Sequence, residues 1–96
     1  MLLGNYFTNI DNSKKKIFFS GISFNSKDIK KDNIFFAIKG NHFDGNKFIS
    51  TAIKKGSKII VSEKIITNFQ KNILFIHTKN IRKLLAEIAF KIYKNK

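Results

Sequence analysis

The sequence predicts a small α/β domain, with a mixed, partly parallel sheet and helices packed on it in the order β-β-α-β-β-α. Three observations predict this class. Short apolar runs of strand length recur along the chain, a segment with helical spacing separates two of them, and an amphipathic helix follows the last. A chain of 96 residues can bury one hydrophobic core, so we expect a single domain over residues 1–96.

The first half of the chain contains strand-forming segments. Ile17–Phe19 and Ile22–Phe24 are rich in β-branched and aromatic residues and are interrupted near Gly21. Residues Ile34–Ile38 form a continuous apolar run that ends at Gly40. A run without alternation is typical of a strand that is covered on both faces, so we expect this strand in the centre of the sheet.

The second half combines helical and strand patterns. Residues Asn46–Lys55 have apolar side chains at helical spacing, and Gly56 stands where a helix-terminating glycine belongs. Ile59–Val61 and Ile73–Ile76 are two further short apolar runs and predict two more strands. The last helix carries the clearest stripe, which consists of Ile81, Leu84, Leu85, Ile88 and Ile92.

The composition excludes several classes of protein. The chain has no cysteine, which excludes disulfides and thiolate metal sites, and no apolar run approaches the roughly 18 residues of a membrane span. No signal peptide begins the sequence, so we expect a cytoplasmic protein without a membrane partner. The net charge of +13 suits nucleic acid, but the basic residues are scattered and only Arg82 is an arginine. The bias toward Lys, Ile, Asn and Phe fits an AT-rich genome, and we expect no nucleic-acid partner.

The loop from Gly40 to Lys47 has to be tested against the phosphate-binding P-loop. It follows a strand, opens a helix and has two glycines five residues apart. A P-loop requires Lys and then Ser or Thr directly after the second glycine, whereas Asn46 and Lys47 follow Gly45, with Phe48 next. We therefore expect no nucleoside-triphosphate site, although the loop can still offer backbone N–H groups to a polar ligand.

The titratable side chains form no catalytic or metal-binding set. His77 adjoins an apolar run and is interpreted as a strand-end residue, whereas His42 lies in the glycine-flanked loop and is either solvent-exposed or a ligand contact. The histidines do not have metal-ligand spacing, and no carboxylate pairs with a nucleophile. We expect no catalytic residue and no metal in this chain.

An ordered set of segments resembles a known family. It comprises Phe24–Lys27, Lys31–Gly40, Phe43–Ile49, Ala52–Glu63, Ile81–Ala86 and Phe90–Tyr93. These segments, at these spacings, resemble the N-terminal domain of the Mur ligases, the peptidoglycan-precursor ligases, over about Ile22 to Tyr93. The resemblance is strongest to the branch that adds the third residue of the stem peptide.

The resemblance implies a function in substrate recognition. In such ligases this domain holds the uridine-diphosphate end of UDP-N-acetylmuramoyl-L-alanyl-D-glutamate. Matched to the family, Phe24 and Ser26 would contact the nucleotide, and Asn41, His42 and Phe43 align with a second contact segment. Two departures stand out in the first segment, where Asn25 replaces an acidic residue and Lys27 replaces an arginine.

The resemblance also implies what this chain lacks. The full enzyme would use ATP and magnesium to add meso-diaminopimelate or L-lysine, and its ATP loop would follow the last helix. We therefore expect no cofactor in these 96 residues, and the remaining domains of the enzyme as partners. Two alternatives stay open: the related ligase that adds the terminal D-alanyl-D-alanine, and a small basic nucleic-acid-binding domain.

Overall fold

The computed structural model describes residues 1–8, 10–65 and 72–94. Four strands form one sheet in chain order, and each neighbouring pair is parallel. The strands are β1 (Gly21–Ser23), β2 (Asn33–Ala37), β3 (Ile59–Ser62) and β4 (Leu74–His77). The helices are α1 (Ile49–Lys54), between β2 and β3, and α2 (Ile81–Lys94), after β4.

The α/β class and the order β-β-α-β-β-α are confirmed. The predicted mixed pairing is corrected in one respect: the four described strands are all parallel, because antiparallel pairing among the described residues is confined to two isolated bridges outside these strands. One of them joins Phe18 to Leu2. The predicted strand Ile17–Phe19 therefore makes a single isolated bridge and is not a strand of the sheet. Instead the chain start pairs with it: the N–H of Phe19 donates to the Met1 carbonyl, and the terminal ammonium donates back to Phe19.

The sheet is the middle of three layers. Side chains alternate along β2, so Ile34 and Phe36 point to one face while Phe35 and Ala37 point to the other. The first face is covered by α2 and by the N-terminal segment, which contributes Leu3 and other apolar residues. The second face is covered by α1 through the buried Ala52. This double coverage is why the apolar run of β2 does not alternate, as predicted.

Helix α1 begins with a 3-10 turn and ends at a glycine. A 3-10 turn over Gly45–Phe48 precedes it, so the predicted helix is present but its first turn is wound more tightly than an α-helix. At the other end, Gly56 has φ +114° and donates to the Ile53 carbonyl, while the Ser57 N–H donates to Ala52. This Schellman arrangement confirms the helix-terminating glycine predicted from the sequence.

The helix α2 packs by its apolar stripe, as predicted. Ile81 and Ile88 are buried, and the other three stripe residues are half-buried against the same cluster. Its first turn is capped from two sides: the Asn80 side chain accepts from the Lys83 N–H, and the Glu63 carboxylate accepts from the Ile81 N–H. No helix in the described part of the chain is long and apolar enough to cross a membrane.

Candidate ligand-binding groove

A groove lies where the first two strands end. Since β1 and β2 are adjacent and parallel, the segments that follow Ser23 and Ala37 emerge at the same edge of the sheet. Two cavities of about 690 and 290 Å³ open there, and Phe24, Ile38, Arg82 and Leu85 line both of them. The larger volume lies within the roughly 300–1,000 Å³ of ordinary small-molecule sites.

The walls of this groove are apolar and carry two exposed aromatic rings. Half-buried Ile22, Ile38 and Leu85 form the inner wall. Phe24 is 59% exposed and Phe43 is 45% exposed. The Phe43 ring stacks on Phe48, with centroids 5.1 Å apart and planes 8° from parallel, so its orientation is held from one side. The arrangement offers flat apolar surface to a planar ligand group.

The loop between β2 and α1 is held by its own hydrogen bonds. The Gly40 N–H donates to the Phe43 carbonyl at 2.6 Å, and the Gly45 N–H donates to Ile38 at 2.8 Å. The Asp44 side chain accepts from both the backbone and the side-chain nitrogen of Asn46. These bonds from Asn46, aided by Lys64 at 3.5 Å, hold the pKa of Asp44 below its usual range, although slight burial opposes them.

This geometry does not fit a triphosphate and its magnesium. The N–H groups of Gly45, Asn46 and Lys47 already donate within the protein, to the Ile38 carbonyl, the Asp44 carboxylate and the Asp44 carbonyl respectively, so they are not free to bind a phosphate. By contrast, the N–H groups of Asn41, His42 and Phe43 meet no acceptor among the described residues. The part of the loop that can serve a ligand is therefore its tip, beside the smaller cavity.

The structure brings together only some of the residues named from the sequence. Phe24 and Phe43 line the smaller cavity together. Asn41 and His42 are exposed at the adjoining loop tip and line neither cavity. Ser26 is buried, and its carbonyl accepts from the Lys55 side chain at 3.0 Å, next to the end of α1. Ser26 lines neither cavity, although Asn25 and Asp28 on either side of it line the larger one, because its own backbone lies against Lys55 at the end of α1.

Arg82 also lines the groove, although no sequence pattern predicts it there. This side chain belongs to the polar side of α2, and nothing in the helical periodicity distinguishes it from the lysines around it. Its identity as the single arginine of the chain was the available signal. Only the packing of α2 across the sheet places it at the carboxyl ends of β1 and β2.

The other titratable residues that the structure describes form no cluster of metal ligands. His77 ends β4, is exposed, and lies 3.1 Å from the Glu63 carbonyl through its Nε2, which agrees with a strand-end residue. No group of three or more His, Asp or Glu side chains in residues 1–8, 10–65 and 72–94 could hold a metal ion.

The fold and the groove together define a three-layer parallel α/β domain with its candidate site at the carboxyl edge of the sheet. Residues 18–93 match the protein family described as "Mur ligase family, catalytic domain". The match covers most of the chain, so the chain belongs to the Mur ligase family.

Two curated relatives illustrate the likeness. A UDP-N-acetylmuramoyl-L-alanyl-D-glutamate--2,6-diaminopimelate ligase of Clostridium tetani is 47% identical over 89 residues, which are 91% of this chain and 18% of that protein. A UDP-N-acetylmuramyl-tripeptide synthetase of Borreliella burgdorferi is 36% identical over 72 residues, which are 73% of this chain and 14% of that one. The chain thus spans less than a fifth of the length of these relatives.

Solved structures agree on the fold. The MurF ligase of Thermotoga maritima, determined in complex with ADP, has a TM-score of 0.63 at 28% identity, over 77% of this chain and 17% of that one. A MurF structure from Acinetobacter baumannii has a TM-score of 0.65 at 22% identity, over 80% of this chain and 16% of that one. The second likeness shows the fold alone.

Proposed function

We propose that this chain is the substrate-recognition domain of a cytoplasmic peptidoglycan-precursor ligase and binds the UDP end of UDP-N-acetylmuramoyl-L-alanyl-D-glutamate. The observation that carries the proposal is the groove at the carboxyl ends of β1 and β2, where two exposed phenylalanines lie next to a loop tip with unpaired backbone N–H groups. The relatives from Clostridium tetani and Borreliella burgdorferi carry names of ligases that act on UDP-N-acetylmuramoyl peptides.

The groove can receive a uridine in one way that uses all of these features. The uracil ring lies against Phe24 or Phe43, because a planar base and a phenyl ring both bury apolar surface on stacking. The N–H groups at the loop tip, from Asn41 to Phe43, donate to the uracil carbonyls. The Ser26 hydroxyl, named from the family resemblance, remains a prediction, because Ser26 is buried and lines neither cavity.

The chemistry of the whole enzyme belongs to domains outside these residues. The motif Gly-x-x-x-x-Gly-Lys-Ser/Thr does not occur in the sequence, and the loop before α1 uses its own N–H groups. ATP and magnesium would therefore act elsewhere in the enzyme, which would add the third stem-peptide residue, diaminopimelate or lysine. Addition of the terminal dipeptide stays the second candidate activity, because a MurF ligase is among the solved structures with a similar fold.

An NMR titration of the ¹⁵N-labelled chain tests the binding function. We expect UDP to shift the amide signals of Phe24, Ile38 and the loop tip from Asn41 to Phe43, with little change elsewhere. Single-stranded DNA serves as the control ligand. If uridine nucleotides leave these signals unchanged while DNA perturbs a lysine-rich face in a salt-dependent way, the nucleic-acid alternative replaces this proposal.

A matched pair of variants sharpens the test. Phe24→Ala removes a ring of the groove and should weaken UDP binding by about 1–3 kcal/mol, the usual contribution of one stacked base. Phe18→Ala removes a ring that is equally exposed, 57% against 59%, but lines neither cavity, and should leave the affinity unchanged. Equal weakening by both variants would contradict the groove as the binding site. Ser26→Ala then tests the hydroxyl by itself.

A further inference from the structure

Arg82 is placed at the junction of the two cavities of the groove. It is the second residue of α2, is exposed, and lines both cavities together with Phe24. Among the described residues that line either cavity, it is the only one with a cationic side chain. None of the lysines that the structure describes belongs to this lining.

Most N–H donors of the Arg82 guanidinium have no acceptor within the described chain. Its single hydrogen bond within the described chain is a long one, 3.5 Å from Nη2 to the Lys39 carbonyl, whereas a guanidinium carries five N–H donors. The two ion pairs of the described residues join Lys58 to Asp32 and Lys64 to Asp44, so no described carboxylate pairs with Arg82. Asp28 lines the larger cavity, but its carboxylate lies beyond ion-pair distance of the Arg82 guanidinium.

The position of Arg82 does not stabilise its own helix. A cation in the first turn faces the positive end of the helix dipole, and the first turn of α2 contains no acidic residue of its own, although the Glu63 carboxylate binds the Ile81 N–H from outside the helix. The cap of α2 is formed by Asn80 and Glu63 without help from Arg82. A charge that is unfavourable for the helix and unpaired in the groove favours the binding of an anion there.

The charges of the groove are also separated. Arg82 lines both cavities, whereas Asp28 lines only the larger one. An anionic ligand group is therefore attracted to the junction, beside the aromatic rings, and repelled from the Asp28 side. The fork of an arginine side chain matches two phosphate oxygens at once, which a lysine cannot do.

From this arrangement we infer that Arg82 binds the diphosphate of the nucleotide, while the base lies against the phenylalanines of the smaller cavity. The inference rests on the proposed function, because it assigns one part of the same ligand to one side chain. It makes Arg82 the residue that distinguishes a nucleoside diphosphate from the nucleoside.

Binding of UDP and of uridine to the 96-residue chain, measured by calorimetry or by NMR titration, tests this assignment. We expect the unmodified chain to prefer UDP. Arg82→Gln should weaken UDP binding on the order of tenfold, the usual effect of losing charge-assisted hydrogen bonds, and leave uridine binding unchanged. Arg82→Lys keeps the charge but loses the forked guanidinium. Its affinity for UDP should therefore lie between that of the unmodified chain and that of Arg82→Gln.

Lys83→Gln is the matched control, since it removes the same charge one residue further along the same helical turn and lines neither cavity. It should leave both affinities unchanged, and equal losses from both substitutions would overturn the specific role of Arg82. Uridine binding without a preference for UDP would also overturn the inference and leave the proposed function standing. If instead no uridine compound binds but inorganic diphosphate does so through Arg82, the anion assignment stands and the proposed function fails.

Discussion

The interior of the sheet and its carboxyl edge use the same residue type in opposite ways. Phe19, Phe35 and Phe36 are completely buried in the interior, whereas Phe24 and Phe43 stand exposed at the edge. The first group packs against strands and helices on both faces of the sheet. The second group lines a groove that the packed elements leave open. Burial of apolar surface stabilises the fold in the interior, whereas the apolar surface at the edge stays exposed and is the surface that we propose for ligand binding.

The largest expected effect comes from breaking the interior. Phe36→Ala should lower the free energy of unfolding by roughly 3–5 kcal/mol, because it leaves a cavity beneath α2. Phe24→Ala removes the same atoms at the edge and should change the stability by no more than about 0.5 kcal/mol. Urea unfolding of both variants measures the difference. Similar losses in the two variants would show that the edge is part of the core.

A smaller effect should distinguish two glycines of the loop at the edge. A Cβ at Gly45 would lie 2.8 Å from the Ile38 nitrogen, which is closer than real contacts allow, whereas a Cβ at Gly40 would meet its nearest atom at 3.6 Å. Gly45→Ala should therefore cost about 1–3 kcal/mol, as overpacking commonly does. Gly40→Ala should be nearly neutral, and thermal unfolding of the pair checks this. A tolerated Gly45→Ala would mean that the loop is not held against β2.

The smallest effect concerns the pH dependence of this loop. The folded state lowers the pKa of Asp44 through its bonds with Asn46, so this group stabilises the fold above its ordinary pKa of about 3.9 and loses that effect as the pH falls through the lowered value. Asp44→Asn should flatten the acid limb of the stability curve below about pH 4. An identical acid limb in Asp44→Asn would contradict the role of these bonds.

Membership of the Mur ligase family bears on the difference between the interior of the sheet and its carboxyl edge. Interior positions such as Ile34 and Val61 pack the sheet against its covering layer, in a fold that the chain shares with the MurF ligase of Thermotoga maritima. Edge positions such as Phe24 and Arg82 are where a ligand would be recognised. Variants of the first kind should change stability before binding, and variants of the second kind should change binding alone.

The sequence by itself determined the class of fold, the order of the elements, the central strand and the buried stripe of α2. Each of these follows from local periodicity, which the chain displays because neighbouring residues share one element. The tertiary structure alone decided that Leu3 and Phe7 belong to the core, that Ser26 turns away from the groove, and that Arg82 reaches it. Arg82 lies 58 positions after Phe24 in the sequence, and only the packing of α2 against the sheet brings them to one cavity. Contacts between elements so far apart in the sequence depend on how the layers of the fold pack against one another. The spacing of residues within one element does not predict this packing.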